Sequence, residues 1–598
     1  MSIGQLCTGR RWFEHLVVLV TVLTLLTACS GGNQSQPTPT PASSTSGSSR
    51  MVPFSLGIPT AALNSPVVGN LSPNTPLHVV VTFKPNDALI NSIGAKKLKG
   101  TPTIDASTLA NKLGITDQQY AEVKKFFGIN GISLKLSKLH TTLTLDAPAS
   151  TFANLLQTTF VYRQYQGRRF YAPARTILLP QAIVSYILAI SGLDNYSRPP
   201  QLPSLFNTGG SLTQVASSSC SPLPTTDSWA QISSIYDLRP FYREGWQGQG
   251  TTIILPEIDA FPVSDLQHYM SCVGFRGTVH VVTLNNNPPT QVEGEALLDL
   301  EMVAGLAPAA NIVVYQESPG SDGSQAWSAL YDELTQIEND YTKISGPTEI
   351  SMSIGAPEDL QTVGLVHAFD TQLRILNEVE NINTFVSSGD CGAFTNYQGY
   401  PNYPDTSFPA TDPSVIAVGG TALKANGLAR ASEVVWQGNP KKPTDCEHLW
   451  GSGGGLSQAF PLPSWQAGPG VRNKYSDGNR QIPDVAADAW TVSFYVNGRW
   501  SWNGGTSAAA PIWASTYALI NQGLVAQTRT MITGGPWIFY TLAQKESARH
   551  PFYSITRGNN LYYPATPGWN FAAGWGAPDA VGIYNGVVTL IQSSQGNG

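Results

Sequence analysis

Six short apolar runs in the second half of the chain alternate with stretches of helical spacing. The runs cover residues 251–255, 279–284, 311–315, 349–354, 384–387 and 415–418. Strands that alternate with helices in this way favour a mostly parallel sheet with helices on both faces. We therefore predict a doubly wound α/β domain, which we place at residues 228–592.

A smaller pattern of strands and helices precedes this domain, at residues 72–200. Its β-rich run at 77–83 is followed by a helix from Thr116, where Gln119 stands in the position of a capping-box partner. The remaining predicted elements are a strand at 141–145, a helix around Phe152, a strand-like run at 169–179 and a helix at 182–190. Strands and helices in this order predict a small α+β domain.

Three segments outside these domains have no pattern that could build a core. Residues 30–71 and 201–227 are rich in Ser, Thr, Pro and Gly, which predicts a disordered tether and a linker that carries a maturation site. Residues 1–29 place two arginines before an apolar run that is short for a membrane span. This arrangement is typical of an export signal.

The predicted export signal ends at Cys29. The preceding residues, Leu26-Thr27-Ala28, complete a pattern that resembles the lipobox of bacterial lipoproteins. We expect a lipid on Cys29 and membrane attachment before maturation, while a plain signal peptide with a chance cysteine is the alternative. The protein is therefore expected to be exported, as an extracellular protein or a cell-surface lipoprotein.

Composition and cysteine count narrow the function classes. Hydrophobic residues make up 41% of the 598 residues, and the net charge of -6 argues against a nucleic-acid partner. Outside the predicted signal, four cysteines remain: Cys220, Cys272, Cys391 and Cys446. Three pairings are possible, and proximity along the chain favours Cys220 with Cys272 and Cys391 with Cys446. No Cys or His spacing supports a zinc site.

The run 503–511, NGGTSAAAP, carries the most specific candidate chemistry. Two glycines allow close backbone approach, and Ser507 begins an Ala-rich helix whose free amides stabilise developing negative charge. A Gly-rich turn with an N-cap serine would explain Gly-Thr-Ser alone. The whole run resembles the nucleophile segment shared by subtilisins and sedolisins, so we predict that Ser507 is a nucleophile.

A nucleophilic serine needs a base, and the sequence has no His-Gly-Thr of the subtilisin kind. Instead, Glu295 and Asp299 stand four residues apart, which places both carboxylates on one helix face. The residues around them, including Leu297, Leu298 and Met302, are apolar. A carboxylate pair on a buried helix is costly unless it has a task.

These carboxylates match the Gly-Glu-x-x-x-Asp helix of the sedolisin and kumamolisin family, and Ser388-Gly389-Asp390 resembles its oxyanion-hole segment. The resemblance implies that Glu295 is the general base and then acid, that Asp299 shares a proton with it, and that Asp390 holds the oxyanion. A carboxyl group donates a hydrogen bond only while it is protonated. The resemblance therefore implies an acid-active serine-carboxyl endopeptidase that works through an acyl-enzyme.

Further segments extend this resemblance along the chain. It implies a subtilisin-like catalytic domain, a supporting glutamate at Glu257, and substrate-binding positions at Ser353, Gly355, Gly453 and Gly454. Residues 72–200 resemble the propeptide of the family, a small ferredoxin-like folding helper that also inhibits the enzyme. The expected partners are protein or peptide substrates and the chain's own propeptide, and we expect a monomer.

The calcium site of the family is the main departure. Family members bind calcium near the C-terminus through two aspartates and several carbonyls, and here Ser554 and Asn570 replace the aspartates. The carbonyls of Ile555, Thr566 and Gly568 remain, but calcium affinity rises with ligand charge. We therefore expect weak or absent calcium binding, with hydrogen bonds holding the loop.

Two other functions remain open from the sequence. One is a catalytically inactive cell-surface binding lipoprotein with the same fold, which the lost calcium ligands make conceivable. The other is an unusual subtilisin with a histidine base, for which the candidates are His268, His280, His367 and His448. The presence of all four catalytic positions argues against the first, and activity that persists at neutral pH would favour the second.

Overall fold

The computed structural model describes residues 50–95, 97–99, 106–129, 131–197, 219–321, 323–344, 346–395, 403–438 and 450–595. The predicted export signal, parts of the predicted tether and linker, and Cys446 lie outside the described residues. Within these ranges, no helix combines the length and the apolar character needed to cross a bilayer.

The N-terminal module, residues 50–197, contains ten strands and six helices in its described parts. The strands are β1 Met51–Phe54, β2 Val67–Asn70, β3 Pro76–Phe83, β4 Leu98–Lys99, β5 Ser133–Leu136, β6 Thr142–Pro148, β7 Phe160–Tyr165, β8 Arg168–Pro173, β9 Ile177–Pro180 and β10 Ile187–Ser191. The helices are α1 Thr60–Leu63, α2 Asp87–Gly94, α3 Ala106–Leu113, α4 Asp117–Phe127, α5 Ala149–Leu155 and α6 Gln181–Val184.

Four strands of the module form an antiparallel sheet in the order β10–β3–β6–β5. Helices connect β3 to β5 and β6 to β10, which gives the βαββαβ order of a ferredoxin-like fold. The predicted capping box is present, because Gln119 N–H donates to Thr116 Oγ1 at 3.2 Å and Thr116 N–H donates to Gln119 Oε1 at 2.8 Å. The predicted α+β architecture is therefore confirmed.

The tether prediction is wrong for residues 50–71. In this segment β1 pairs with β9 and β2 pairs with β7, while Leu56, Ile58 and Leu71 are buried. The polar composition of the segment suggested disorder, but strands far along the chain supply the partners that local composition does not reveal.

Two predictions at the end of the module also need correction. The helix predicted at 182–190 is limited to Gln181–Val184, and Ile187–Ser191 forms β10 beside the central strand β3. The run predicted at 169–179 is divided between β8 and β9, which belong to different sheets. Pairing with β3 overrides the helical spacing because the apolar side chains of β10 enter the module's core.

The C-terminal domain, residues 219–595, contains the remaining elements. Its strands are β11 Thr252–Glu257, β12 Thr278–Thr283, β13 Asn311–Gln316, β14 Thr348–Met352, β15 Ala356–Pro357, β16 Asn383–Ser387, β17 Ser407–Phe408, β18 Ile416–Asn426, β19 Ala429–Val435, β20 Gly455–Pro461, β21 Asn479–Ile482, β22 Val485–Asp488, β23 Val492–Val496, β24 Arg499–Asn503, β25 Met531–Ile532, β26 Phe552–Tyr553 and β27 Ala577–Pro578. Its α-helices are α7 Trp229–Ile235, α8 Arg239–Arg243, α9 Val263–Val273, α10 Glu295–Leu306, α11 Ala326–Asp340, α12 Val363–Arg374, α13 Thr506–Thr528, α14 Trp537–Lys545 and α15 Ala580–Gln595.

The central sheet of this domain follows the order β12–β13–β11–β14–β16–β18, and both β19 and β22 pair with β18. All pairs are parallel except β18 with β19. The predicted mostly parallel, doubly wound sheet is therefore confirmed. Strands β13 and β14, which are consecutive strands along the chain, lie on opposite sides of β11. The carboxyl ends of strands at such a point commonly form a ligand site.

Two buried helices lie against the sheet and bring the candidate residues together. Every residue of α10 is buried, as are the first sixteen residues of α13. The helices pack against each other, and α13 also packs on β14, β16, β18 and β22. Their first turns, which carry Glu295 and Ser507, are thereby brought together.

The N-terminal module packs on the side of the domain formed by α11 and α12. Strand β4 pairs with β25, and Lys97 Nζ lies 2.5 and 2.6 Å from the carboxylate oxygens of Glu378. Arg374 donates to Asp87 at 2.9 Å, and in this ion pair the domain carries the positive charge and the module the negative one. Strand pairing and ion pairs together hold the module on the domain.

One of the two predicted disulfides is confirmed. Cys220 is bonded to Cys272, which fastens the start of the C-terminal domain to α9. Cys391 is also disulfide-bonded. Its predicted partner, Cys446, lies outside the described residues, so that pairing stays a prediction.

Candidate active site

Ser507 lies in the first turn of α13, after the loop that leaves β24. The preceding Gly505 has a φ angle of 94°, and a Cβ at this position would lie 2.6 Å from Oδ2 of Asp390. Only glycine meets both requirements without strain. The NGG segment thus lets the Asp390 carboxyl approach the backbone directly before Ser507, which is 5% exposed.

Asp390 follows β16 and is half-buried. Its Oδ1 accepts hydrogen bonds from the N–H and the hydroxyl of Thr506, both at 2.7 Å. Because Oδ1 receives two donors, a proton on this carboxyl resides on Oδ2, beside the Gly505 backbone. Burial raises the pKa of Asp390, and the two bonds from Thr506 act in the opposite direction.

Glu295 and Asp299 lie one turn apart at the start of α10 and are 8% and 0% exposed. The carboxyl group of Glu295 lies beside the hydroxyl of Ser507, which favours the charged carboxylate and so acts to lower its pKa. Burial raises the pKa of both carboxyls well above their usual range, and for Glu295 the negative charge of Asp299 adds to the effect. The two groups therefore titrate as a pair that shares protons.

Ser353, a predicted substrate-binding residue, contacts Asp299. Its Oγ lies 3.0 and 2.8 Å from the two carboxylate oxygens of Asp299, and 3.2 Å from the carbonyl oxygen of Ser507. This hydroxyl stabilises the ionised form of Asp299 and so opposes the effect of burial on its pKa. Ser353 thus connects the acidic helix to the nucleophile segment.

Glu257 is the last residue of β11 and is 4% exposed. Burial raises its pKa well above the usual range, and the charges of Asp299, Asp259 and Glu295 raise it further. The structure therefore places a third buried carboxyl beside the Glu295–Asp299 pair.

Gly453 fixes the loop that carries Asp390. Its N–H donates to the carbonyl of Gly389 at 2.7 Å, and its carbonyl accepts from the Ser388 hydroxyl at 2.8 Å. A Cβ at Gly453 would lie 1.9 Å from the Ser388 carbonyl oxygen. The backbone groups of this predicted substrate-binding residue are thus engaged within the protein. Gly454 follows it, and Gly355 lies between β14 and β15.

A cavity of about 320 Å³ opens beside Glu295. Among the residues that the structure describes, those that line the cavity include Glu257, Asp259, Glu293, Glu295 and Ile354. None of the lining residues described is a lysine, an arginine or a histidine. Sequence reasoning missed Asp259, and it missed Thr506 as the partner of Asp390. The position of Asp259, two residues beyond the end of a parallel strand, is the sequence feature that could have indicated it.

The predicted metal-binding residues form a closed hydrogen-bond network instead of an open ligand set. Asn570 Oδ1 accepts the N–H groups of Ala572 and Ala573 at 3.1 and 3.0 Å, which fixes the orientation of the amide. Its Nδ2 then donates to the carbonyls of Ile555 and Thr566 at 3.2 and 3.1 Å. These residues do not fit a calcium ion, because an amide NH₂ occupies the carbonyls that would bind it.

Three of the four candidate histidine bases lie on elements of the domain other than those that carry Ser507 and Glu295. His268 stacks on Tyr495 with 4.1 Å between ring centroids, His280 is exposed on β12, and His367 belongs to α12. His448 lies outside the described residues. The carboxyl group beside Ser507 is that of a glutamate, which does not support the alternative of a histidine-dependent subtilisin.

Known proteins are similar to both parts of the chain. Residues 64–196 match the family model described as "Pro-kumamolisin, activation domain". Over 513 residues, the chain is 27% identical to kumamolisin of Bacillus sp. (strain MN-32). This alignment covers 82% of this chain and 87% of kumamolisin. The chain is thus similar to sedolisin-family proteins along most of its length.

Sedolisin is also similar to this chain, both in sequence and in solved structure. Sedolisin of Pseudomonas sp. (strain 101) is 26% identical over 460 residues, with 73% of each chain covered. A solved structure of Pseudomonas sedolisin, a serine-carboxyl proteinase in complex with pseudo-iodotyrostatin, aligns with a TM-score of 0.51, covering 61% of this chain and 98% of that chain.

The chain is therefore a serine-type peptidase that is made as a zymogen. The N-terminal module is its propeptide, and its substrates are proteins or peptides. The alternative of an inactive binding lipoprotein finds no support, since similar proteins include tripeptidyl-peptidases and a serine-carboxyl proteinase.

Proposed function

We propose that this protein is a secreted, acid-active serine-carboxyl endopeptidase that works through an acyl-enzyme. The placement of the Glu295 carboxyl beside the Ser507 hydroxyl, with the Asp390 carboxyl held against the same loop, is the observation that carries the proposal. Ser507 Oγ attacks the peptide carbonyl carbon while Glu295 accepts its proton. Asp390 and the Ser507 N–H stabilise the oxyanion. Glu295 then protonates the leaving amine, and water releases the acyl group.

The protonation states required by this scheme restrict activity to acid. For Glu295 to accept the proton of Ser507, Glu295 and Asp299 together must hold one proton and one negative charge. Asp390 must keep its proton on Oδ2 in order to donate to the oxyanion. Activity is therefore lost as pH rises through the pKa of Asp390, and again as pH falls through the pKa at which the Glu295–Asp299 pair gains its second proton.

We predict a bell-shaped pH profile with its maximum in acid and loss of activity toward neutral pH. The measurement is kcat/KM between pH 2 and pH 8 on an unstructured protein substrate, with Glu295→Ala as the inactive control. Cleavage at full rate at pH 8, or cleavage at pH 4 by a Ser507→Ala protein, would contradict the proposed mechanism.

We propose that maturation cuts the chain on the N-terminal side of Ser219. The described residues that follow are already fastened to the domain: Cys220 by its disulfide, Ser219 by a hydrogen bond from Trp500 to its carbonyl, and Asp227 by backbone bonds to the residues around β23. The predicted domain boundary at 228 therefore moves toward the N-terminus. If lipid is attached at Cys29, this cut separates it from the catalytic domain.

We also propose that the C-terminal loop binds no calcium. The Asn570 amide donates to the Ile555 and Thr566 carbonyls, which would otherwise bind the ion. Asn570→Asp together with Ser554→Asp is expected to restore a charged ligand set, so that millimolar calcium raises the midpoint of thermal unfolding by several degrees. The wild-type midpoint is expected to be the same in calcium and in chelator. The measurement is thermal unfolding of the Ser507→Ala background in both conditions.

Asn559→Asp is the matched control for this experiment. It adds one negative charge to the same loop, where Asn559 Oδ1 accepts the N–H of Leu561 at 2.8 Å, away from the Ile555 and Thr566 carbonyls. A calcium-dependent midpoint in the wild-type protein would refute the proposal.

A further inference from the structure

Asp259 joins two elements of the candidate site. It lies two residues after Glu257, is 5% exposed, and its Oδ2 accepts the N–H of Glu293 at 3.1 Å and the N–H of Glu295 at 2.9 Å. The end of β11 is thereby tied to the first residue of α10.

Helix α10 has no cap of its own. Its N-cap residue is Gly294, with a φ angle of 93° and no side chain to accept the first N–H groups. The first N–H groups of a helix have no partner within the helix. Asp259 supplies the missing acceptor from another element of the sheet, and it does so at the N–H of the residue that contacts Ser507.

This connection matters because of where Glu295 stands. As the first residue of α10, it has no preceding helical turn to fix its backbone, and the glycine before it adds conformational freedom. Without an acceptor for its N–H, the backbone of Glu295 can rotate about Gly294 and move its carboxyl away from Ser507. A shift of about 1 Å in a reacting group can cost roughly 100-fold in rate.

The surroundings of Asp259 exclude a role in an ion pair. Four carboxyl groups face it, those of Glu257 on β11 and of Glu293, Glu295 and Asp299 at α10. Its own Oδ1 is buried without a hydrogen-bond partner among the described residues. Among the described residues, the Asp259 side chain thus accepts from backbone N–H groups, and a neutral amide oxygen can accept from the same groups.

We propose that Asp259 is a positioning residue, which holds the backbone of Glu295 so that its carboxyl faces Ser507. The proposal rests on the proposed function of Glu295 as general base. It assigns to Asp259 an effect on the chemical step and no contact with the reacting atoms.

The test compares Asp259→Ala with Asp259→Asn in the full-length protein, activated in acid. The alanine variant is expected to lower kcat by about 10- to 100-fold with KM changed less than threefold, because the base is misplaced while the binding cleft is kept. The asparagine variant keeps an oxygen for the two N–H groups and is expected to retain kcat within about fivefold of wild type. Rate of propeptide removal is measured in parallel as a single-turnover readout.

Asp265→Ala is the matched control for loss of a buried aspartate. Asp265 is also buried and also binds two backbone N–H groups, those of Asn497 and Gly498, at 2.7 and 3.3 Å. These lie at the tip of the β23–β24 hairpin and not at Glu295. Its loss is expected to lower the thermal midpoint and to leave kcat unchanged.

Three results would overturn the proposal: wild-type kcat in Asp259→Ala, a change confined to KM, or a folded Asp259→Asn protein as slow as the alanine variant. Equal losses of kcat in Asp259→Ala and Asp265→Ala would show that Asp259 acts only through the stability of the fold. That result would also overturn the proposal. Glu295→Gln, assayed alongside, separates this proposal from the proposed function. If Glu295→Gln stays active, the proposed function fails first.

Discussion

Replacing Glu295 with glutamine is expected to lower kcat by about 10⁴-fold or more, as loss of the base does in other serine peptidases. The amide is nearly isosteric with the carboxylate and can still accept a hydrogen bond from Ser507. It cannot take the serine proton, so Ser507 loses its general base. The measurements are hydrolysis of a fluorogenic peptide at pH 4 and removal of the propeptide after acidification.

Glu301→Gln provides a matched control on the same helix. Glu301 is fully buried, and its Oε2 accepts the N–H of Tyr495 at 2.9 Å, a bond that a glutamine oxygen can also make. Its substitution is expected to leave maturation and kcat within about threefold of wild type. Loss of activity in both variants would show that α10 tolerates no such change, and activity of Glu295→Gln would exclude this residue as the base.

Acid pH is also expected to stabilise the fold, with an apparent unfolding midpoint about 10 °C or more higher at pH 4 than at pH 8. Burial raises the pKa of Glu349 to about 8 and that of Glu338 to about 7, against hydrogen bonds that favour the charged forms. An unfolded glutamate titrates near 4. Between these pH values the folded state binds more protons than the unfolded state, so the free energy of unfolding falls as pH rises.

Glu349 gives the sharpest test of this stability effect. Its side chain is fully buried in β14 and accepts hydrogen bonds from Asn521 and Asn383 at 2.8 and 3.0 Å. A pKa rise from 4.5 to about 8 corresponds to roughly 3–5 kcal/mol of stability lost between pH 4 and pH 8. In the Ser507→Ala background, Glu349→Gln is therefore expected to flatten the pH dependence of unfolding.

The exposed Glu244 serves as the control for this series. Glu244→Gln should unfold with the same pH dependence as its parent, since an exposed carboxyl keeps its solvation in both states. A Glu349→Gln protein with the parent's full pH dependence would show that the buried carboxyl is not its source.

The alternation of short strands and helices predicted the central sheet well. The apolar runs at 251–255 and 311–315 correspond to β11 and β13, because strands buried on both faces are marked by continuous apolar residues. Predictions from local composition at 50–71 and from helical spacing at 182–190 failed, because short segments there pair with distant strands. There, local sequence does not contain the partner that decides the structure.

The candidate site divides along the same line. Ser507, Glu295, Asp299 and Asp390 stand in short motifs whose composition already indicates their chemistry, and the helix spacing of Glu295 and Asp299 follows from periodicity alone. Thr506 and Asp259 lack such a motif. The role of Thr506 depends on a hydrogen bond to Asp390, which lies more than a hundred positions away in the sequence. The role of Asp259 depends on a contact between the end of a strand and the start of a helix.

By itself, the sequence determined the type of fold, the family resemblance and the loss of charge at Asn570, and it favoured the disulfide between Cys220 and Cys272 among three possible pairings. Only the tertiary structure decided that the Asn570 amide binds the carbonyls of Ile555 and Thr566, and that Asp259 caps the helix of Glu295. The physical reason is the same in both cases. Composition and periodicity record which groups must be buried, whereas hydrogen bonds between distant segments depend on where the packed sheet and helices place them.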